Sequence, residues 1–385
     1  MEIMISAGDP SADIYAGRLI CELKSINPGI RIVGLGGKWI KKYADNFLYD
    51  LVSLLIFGPL DAVKFYFHLR KIFNKYVVSY IRNNKDKISV VVPVDFYGFN
   101  IHLCKEAKKY NIPVVYYISP QIWATRPKRI YEMKRFVDKV IVLYPFEKDI
   151  YIKFGIEAEF YGHPLCEVIG DVDIMKFEEK KISNQINIGL FPGSRKAVVE
   201  NHLPLFVEVV TRIVRDFCSK EISFYLYTID TIEESLYQKH LKKVPSEVKI
   251  NCIESDINNY SSRKILDLAI ASSGTVTLEN ALLGIPTIIV YKTNYIFYLL
   301  ARAFIRTKHI GLPNILANEH ILPEFVQHHA NVRNIVSTVY RWCSDENLLN
   351  DIRMQLYYKT RKMLCLKNVM RNTAQQIIKY INVNS

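Results

Sequence analysis

The chain has 385 residues, longer than the chains that usually fold around a single core, so two domains are expected. Half of its residues are hydrophobic, which excludes wholesale disorder. Its seven cysteines are scattered without a CxxC pair, which argues against a zinc site or a disulfide framework and favours a reducing cytosol. The formal net charge of +13 fits solvated lysines, an anionic lipid surface or an anionic substrate; no nucleic-acid module is visible, so no nucleic-acid partner is expected.

Strands and helices alternate along the first part of the sequence. The chain meets Asp9 and Pro10 before any long apolar run, so no signal peptide is expected, and the turn "GDPSAD" precedes a predicted helix. Apolar runs rich in β-branched residues predict strands at 3–6, 31–37, 88–95, 112–119 and 139–145. Such strands, joined by helices, indicate a parallel sheet covered on both faces.

The same alternation restarts after a charged, strand-poor stretch. Residues 167–185 are predicted to be an interdomain linker. Strands follow at 186–191, 222–228, 248–253, 266–272 and 286–291. We therefore predict an α/β protein with two Rossmann-like, doubly wound parallel-sheet domains, residues 1–170 and 185–365, facing each other across a cleft.

Two loops of the second domain have the composition of an anion site. Ligands bind such sheets beyond the carboxyl ends of the strands, where helix starts offer unpaired amides. The candidate residues of "FPGSR" and "SSGTVTLE" for a nucleotide diphosphate and its ribose are Gly193, Ser194, Arg195, Ser273, Gly274, Thr275 and Glu279. The alternative for the second loop is a plain helix N-cap with a packing glycine.

In the first domain, "VVVPVDFYGFN" places Asp95 at the end of an apolar strand. A carboxylate there can act as a general base, and the alternative is a turn or capping aspartate. His163 in "YGHPL" is interpreted as structural, because the proline after it marks a turn.

Eight segments of the sequence together carry a resemblance to a known family. In chain order they are "SAGDPSAD" (6–13), "VDFYGFN" (94–100), "YYISPQIWATRPKR" (116–129), "VLYPFEKDIY" (142–151), "YGHPL" (161–165), "FPGSR" (191–195), "SSGTVTLENALLGIPTIIVY" (272–291) and "GLPNILA" (311–317). In this order they resemble lipid-A-disaccharide synthase, and the resemblance runs from residue 3 to about 330.

The resemblance implies a GT-B glycosyltransferase whose C-terminal helix, about 366–385, packs back on the first domain. It implies a UDP-2,3-diacylglucosamine donor and a 2,3-diacylglucosamine 1-phosphate acceptor, joined by a β(1→6) bond with inversion and release of UDP. No cofactor and no metal are expected, since no DxD motif ends a strand. The implied location is cytoplasmic, at the inner face of the inner membrane.

The resemblance also implies roles for individual residues. Those implied to be catalytic are Asp95, Asp9 and Asp13; those on the acceptor side are Ser11, Gln121 and Trp123; those at the donor include Arg195, Glu279 and Asn314. The sequence departs from the family's motifs at Ala12, Gly98, Thr125 and Val198, which bears on substrate fit more than on reaction type.

A basic, aromatic stretch, "LDAVKFYFHLRKIFNKYV" (60–77), predicts a helix that could lie on anionic lipid. Its basic stripe is Lys64, His68, Lys71 and Lys75, and its apolar face is Ala62, Phe65, Tyr66, Leu69, Ile72, Phe73 and Tyr76. The segment 295–310, with Arg302 and Arg306, could extend that surface. The alternative is a helix that covers the sheet.

Two other functions remain open at this stage. One is a related transferase acting on another lipid-linked sugar, and the other is a non-catalytic protein that binds a UDP-sugar. The sequence also leaves the oligomeric state open, with a homodimer among the alternatives.

Overall fold

The computed structural model describes residues 1–56, 62–171, 185–216, 221–246, 248–256, 260–295, 298 and 307–384, without the side chains of 55–56, 62–66 and 382–384. The chain forms two compact units, Met1–Pro164 with Leu366–Ser385, and Leu165–Cys365. The predicted linker, 167–185, lies largely outside the described residues.

Unit 1 contains a parallel sheet of seven strands in the order β3-β2-β1-β4-β5-β6-β7. The strands are β1 Glu2–Ala7, β2 Arg31–Gly36, β3 Asn46–Asp50, β4 Ile88–Val94, β5 Val115–Tyr117, β6 Lys139–Val142 and β7 Glu157–Phe160. The central strands β1 and β4 are apolar and almost completely buried, as expected for a sheet with helices on both faces.

The helices of unit 1 follow the strands in alternation. They are α1 Pro10–Ile26, α2 Lys38–Tyr43, α3 Ala62–Ile72, α4 Ser79–Asn84, α5 Tyr97–Lys108, α6 Arg129–Phe136 and α7 Pro145–Lys153, with the C-terminal helix, α16, at Val369–Asn384. Helix α16 packs against α1, and the Tyr117 hydroxyl lies 3.6 Å from the sulfur of Met370. The C-terminal helix therefore returns to the first sheet, as predicted.

Unit 2 contains a parallel sheet of six strands in the order β10-β9-β8-β11-β12-β13. The strands are β8 Gln185–Phe191, β9 Glu221–Thr228, β10 Ile250–Glu254, β11 Leu268–Ser272, β12 Thr287–Tyr291 and β13 Glu324–Val326. The helices are α8 Leu165–Ile169, α9 Lys196–Asp216, α10 Glu234–Leu241, α11 Thr275–Leu282, α12 Leu312–Ala317, α13 Val332–Ser344, α14 Glu346–Leu356 and α15 Lys362–Leu364. A buried apolar core fills the space between this sheet and its helices.

The expectation that the cysteines stay unpaired is wrong for two of them. Cys166 and Cys365 form a disulfide across 199 residues of sequence, with their Cα atoms 5.2 Å apart. Both lie in unit 2, next to the two places where the chain passes from one unit to the other. Their separation in the sequence gave no indication of this pairing, because the fold alone brings the two ends of unit 2 together.

Helix α3 is followed by a π-helical turn, Phe73–Val78. Among the described residues, none of the helices combines the length and the hydropathy needed to span a bilayer.

Candidate active site

The carboxyl ends of β1 and β4 bring Asp9 and Asp95 close together. These strands pair in parallel with Ala7 opposite Val94, so the loops that follow them leave the sheet side by side. Asp9 occupies the N-cap position of α1 without a capping hydrogen bond from its side chain, and Asp95 follows β4 directly, before α5. The charge of Asp9 acts on the Asp95 carboxyl. Two of the three carboxylates predicted to be catalytic therefore share one edge of the sheet.

The backbone at Asp95 is held in a strained conformation. Asp95 and Phe96 have φ angles of 49° and 47°, in the left-handed region that residues other than glycine rarely adopt. The Tyr116 hydroxyl and the Asn100 amide donate to the Asp95 carbonyl over 2.6 and 2.8 Å, and the Asp95 N–H donates to the Tyr117 carbonyl over 3.1 Å. Such strain costs about 1–3 kcal/mol per residue and persists where the surroundings enforce it. These contacts fix the direction of the Asp95 side chain.

Burial, together with the charge of Asp9, raises the pKa of the Asp95 carboxyl to about 6. A hydrogen bond from the Phe96 N–H and the positive charge of Arg129 act in the opposite direction. A carboxylate with this pKa is ionised at neutral pH and accepts a proton more readily than a fully solvated one. Asp95 therefore has the position and the basicity of a general base.

Asp13 has a different environment from the other two predicted acids. Its side chain is buried and accepts hydrogen bonds from the backbone N–H groups of Gly37, Trp39 and Ile40, at 2.8, 2.9 and 3.1 Å. These bonds occupy both carboxylate oxygens and tie α1 to the start of α2. Asp13 therefore holds this turn, and the catalytic role that the resemblance implies for it stays a prediction.

The loop after β5 carries Trp123, whose indole is partly exposed and packs edge-on against Phe146 at 5.1 Å. The indole N–H donates to Glu147 Oε1 over 2.7 Å. Gln121 from the same loop and Ser11 from the first turn of α1 are exposed. These loops leave the same edge of the sheet as Asp95, where their side chains can meet a substrate.

Glu147 is a residue that the sequence did not single out. It is buried, and its carboxylate accepts hydrogen bonds from Trp123 and from the backbone N–H groups of Leu143 and Tyr144. Burial raises its pKa to about 7 in spite of these hydrogen bonds. Its position three residues after the cap of α7 gave a signal for a capping box but not for its contact with Trp123.

His163 is completely buried, and burial lowers its pKa to about 3. Its ring packs edge-on against Tyr15 at 6.3 Å. A neutral imidazole inside an aromatic cluster agrees with the structural interpretation of this residue.

In unit 2, the "FPGSR" turn connects β8 to α9. Gly193 has φ 133°, and a Cβ atom on it would lie 2.4 Å from Val198 Cγ1, so only glycine fits this position. Ser194 and Arg195 are exposed, and α9 begins directly after them. The turn therefore presents a hydroxyl and a guanidinium at the start of a long helix, an arrangement that favours an anion.

The "SSGT" loop lies beside this turn, because β8 and β11 are paired with Phe191 opposite Ala271. Gly274 and Thr275 are exposed, and a Cβ atom built on Gly274 would meet nothing within 4 Å. The Ser273 hydroxyl donates to the Ile310 carbonyl over 3.0 Å. Open space at the start of α11 leaves room for a phosphate, while the Ser273 hydroxyl holds the loop.

Glu279 and Asn314 are both engaged by protein groups. One carboxylate oxygen of Glu279 forms an ion pair with Arg263 at 2.7 Å. Asn314 is fully buried; its amide donates to the Leu322 carbonyl and to Glu324, and its carbonyl oxygen accepts from the Leu322 N–H. These hydrogen bonds join α12 to the segment before β13, and the donor contact of Asn314 stays a prediction. The Glu279 side chain is 12% exposed.

Solved structures with the same arrangement of elements define the class of this protein. A Staphylococcus aureus MnaA–UDP co-structure matches with a TM-score of 0.65 and 11% identity, over 99% of this chain and 97% of that one. Acinetobacter baumannii MurG matches with a TM-score of 0.63 and 14% identity, over 98% of this chain and 99% of that one. Two Rossmann-like parallel sheets of this kind are the GT-B fold, and the predicted fold class is confirmed.

The chain belongs to the lipid-A-disaccharide synthase family. The family described as lipid-A-disaccharide synthetase matches residues 3–381. Lipid-A-disaccharide synthase 1 of Legionella pneumophila is 32% identical over 358 residues, 92% of this chain and 91% of that protein. The enzyme of Coxiella burnetii is 31% identical over 386 residues, covering 97% of each chain. The protein is therefore a glycosyltransferase of lipid A biosynthesis, as the sequence motifs indicated.

Proposed function

We propose that the enzyme condenses UDP-2,3-diacylglucosamine with 2,3-diacylglucosamine 1-phosphate. The products are the β(1→6)-linked disaccharide 1-phosphate and UDP. In this proposal unit 1 takes the acceptor and unit 2 takes the donor. The observation that carries it is Asp95, a carboxylate with a pKa of about 6 on a strained turn at the strand ends of unit 1.

The transfer step is a single displacement. The acceptor 6-hydroxyl attacks the anomeric carbon of the donor, and its proton passes to the Asp95 carboxylate as the new C–O bond forms. The bond from the anomeric carbon to the β-phosphate oxygen breaks, its electron pair leaves with UDP, and the configuration inverts. The half-buried Asp9 beside Asp95 keeps that carboxylate basic.

The departing diphosphate gains charge in the transition state, and unit 2 has groups suited to neutralise it. Arg195 supplies a full positive charge, and the helix starts at Ser194 and Gly274 supply backbone N–H groups. Glu279 would accept hydrogen bonds from the ribose hydroxyls.

On the acceptor side, Trp123 offers an aromatic face that suits a sugar ring or an acyl chain. Glu147 holds that indole in place through its hydrogen bond of 2.7 Å. Gln121 and Ser11 are exposed polar groups that can bond acceptor hydroxyls.

Acylated substrates place the enzyme at the cytoplasmic face of the inner membrane, and α3 with the turn after it is the proposed contact. Four residues of its predicted apolar face pack inward: Ile72 is buried, and Leu69, Phe73 and Tyr76 pack against the core. The side chains of the other three, Ala62, Phe65 and Tyr66, lie outside the described residues. Its exposed face carries Phe67, which is 61% exposed, together with His68, Arg70, Lys71 and Lys75. The side chain of Lys64, and Arg302 and Arg306 in the predicted extension, lie outside the described residues.

The experiment is to mix the purified enzyme with both acylated sugars, follow the release of UDP and identify the product by mass spectrometry. A β(1→6) disaccharide 1-phosphate formed with one equivalent of UDP supports the proposal. UDP binding without any product would favour a non-catalytic UDP-sugar-binding protein. Turnover only with a different lipid-linked acceptor would favour the related transferase.

A further inference from the structure

Arg263 is a buried positive charge behind the two anion-binding loops of unit 2. It lies in a short 3₁₀ turn, Ser261–Ile265, and is 3% exposed. Its guanidinium lies over the rings of Phe191, Tyr260 and Tyr227, at 4.7, 4.9 and 5.5 Å from the ring centres. Aromatic faces attract a cation and partly replace the water that burial removes.

The same guanidinium forms three side-chain hydrogen bonds. It donates to Glu279 Oε2 over 2.7 Å, to Asn280 Oδ1 over 3.2 Å and to Ser255 Oγ over 3.5 Å. Among the side chains that the structure describes, that of Arg263 is the one that bonds the Glu279 carboxylate. The Glu279 side chain is 12% exposed, and its Oε2 atom is the one that pairs with Arg263.

These contacts connect the parts of the proposed donor site. Phe191 is the residue directly before the "PGSR" turn, and Glu279 lies one turn into α11, which begins at the open Gly274 loop. Ser255 follows β10, the third strand end in this part of the sheet. The Arg263 side chain therefore packs on Phe191, next to the first anion-binding loop, and orients the Glu279 carboxylate beside the second loop.

We propose that Arg263 is a positioning residue for the nucleotide: it holds Glu279 Oε2 and leaves the rest of that carboxylate directed at the ribose hydroxyls. The inference rests on the proposed donor role of unit 2. Arg263 itself does not touch the donor in this arrangement, because the three rings and Glu279 enclose it.

The test compares the binding of UDP and of 2′,3′-dideoxyuridine diphosphate by calorimetry, using the full chain. Wild type should prefer UDP, and Arg263→Lys should lose about tenfold in UDP affinity with little change for the dideoxy nucleotide. Lysine keeps the charge but loses the fork that orients the carboxylate. Glu279→Asp keeps the carboxylate but shortens the side chain by one methylene, so it should also lose UDP affinity with little change for the dideoxy nucleotide. It is the variant to use if Arg263→Lys does not fold.

Arg353 supplies a matched control. It is equally buried in unit 2, but it donates to Asn350 and to the carbonyl of Asp267, just before β11 begins. Arg353→Lys should lower the melting temperature and leave both affinities unchanged. Equal losses for the two nucleotides in Arg263→Lys, or unchanged UDP binding, would overturn the positioning role. A wild type that binds no UDP would instead overturn the proposed donor function and this inference with it.

Discussion

At the scale of single residues, Asp95 is the group on which the proposed transfer step depends. Asp95→Asn keeps the size of the side chain but cannot accept a proton, so we expect turnover to fall about a hundredfold or more. UDP affinity should not change. Because burial raises the pKa of Asp95, its ionised form costs stability at neutral pH, and the variant's melting temperature at pH 7 should equal or exceed that of wild type. Near-normal turnover in this folded variant would remove Asp95 from the role of base.

The pKa of Asp95 also predicts the acid limb of the pH profile. Below about pH 6 the carboxyl is protonated, so kcat/KM should fall about tenfold per pH unit as the pH decreases. Asp9→Asn removes the neighbouring negative charge that helps to raise this pKa, and the acid limb should move to lower pH. Rate profiles of both proteins between pH 4.5 and 8 measure the shift. Superimposable acid limbs would show that another group controls the rate.

Arg195 should act on bound and on departing diphosphate. Arg195→Ala removes an exposed charge, so the fold should be unaffected, while UDP binding weakens about tenfold and transfer slows. Calorimetry with UDP and steady-state kinetics measure the two effects. Arg212→Ala is the control, because Arg212 lies in the last turns of the same helix, where it pairs with Asp216. Equal UDP affinity in wild type and Arg195→Ala would mean that this turn holds something else.

The sequence identified residue types at strand ends but not the environment of each one. Asp95 and Asp13 look alike in the sequence, yet three backbone donors surround Asp13 while Asp95 keeps a raised pKa. Asn314, which the sequence predicts to bind the donor, is fully buried and bonded to the backbone of Leu322, and the sequence did not indicate that environment. Arg263 was not predicted at all, since its aromatic partners come from separate strands and loops.

At the scale of elements, the central strands were predictable and most of the edge strands were not. Runs such as Ile88–Val94 are apolar throughout because helices cover both faces. The edge strands β3, β7 and β13 were not predicted: β3 is half-buried along its length, β7 contains two glutamates, and β13 has three residues. Edge strands meet solvent and need no continuous apolar run, so this pattern does not reveal them.

The disulfide between Cys166 and Cys365 can be tested directly. It closes a loop of 199 residues, and a cross-link over such a loop stabilises a fold by about 2–5 kcal/mol. We expect Cys166→Ser with Cys365→Ser to lower the melting temperature. Wild type should melt at a lower temperature with a reductant than without one, and the double variant should not respond.

The exposed, unpaired Cys21 and Cys252 provide the control for this experiment. Their replacement by serine should leave the response of the melting temperature to reductant intact. If wild type melts at the same temperature with and without reductant, Cys166 and Cys365 do not pair in solution.

At the scale of the whole molecule, the alternation of strands and helices was enough to predict two parallel α/β sheets. The sequence could not indicate how each amphipathic helix is used, since a helix on a sheet and a helix on a membrane both have an apolar face. In α3 and the turn after it, Leu69, Ile72, Phe73 and Tyr76 pack on the core, while Phe67 and the basic side chains are exposed. The chain has a net charge of +13, and we propose that the basic residues on this exposed face are the ones that meet anionic lipid.

The exposed face of α3 and the turn after it should bind anionic lipid. Phe67 is exposed beside Lys71 and Lys75, and a basic residue at an anionic surface contributes about 1 kcal/mol. The double variant Lys71→Glu, Lys75→Glu should therefore bind anionic vesicles at low salt with an affinity at least about thirtyfold lower, measured by co-sedimentation. Its UDP binding should be intact. Lys85→Glu with Lys87→Glu, the same charge change at exposed positions before β4, is the control and should bind as wild type does. High salt should release wild type from the vesicles. Equal binding by the two double variants would assign α3 to covering the sheet alone.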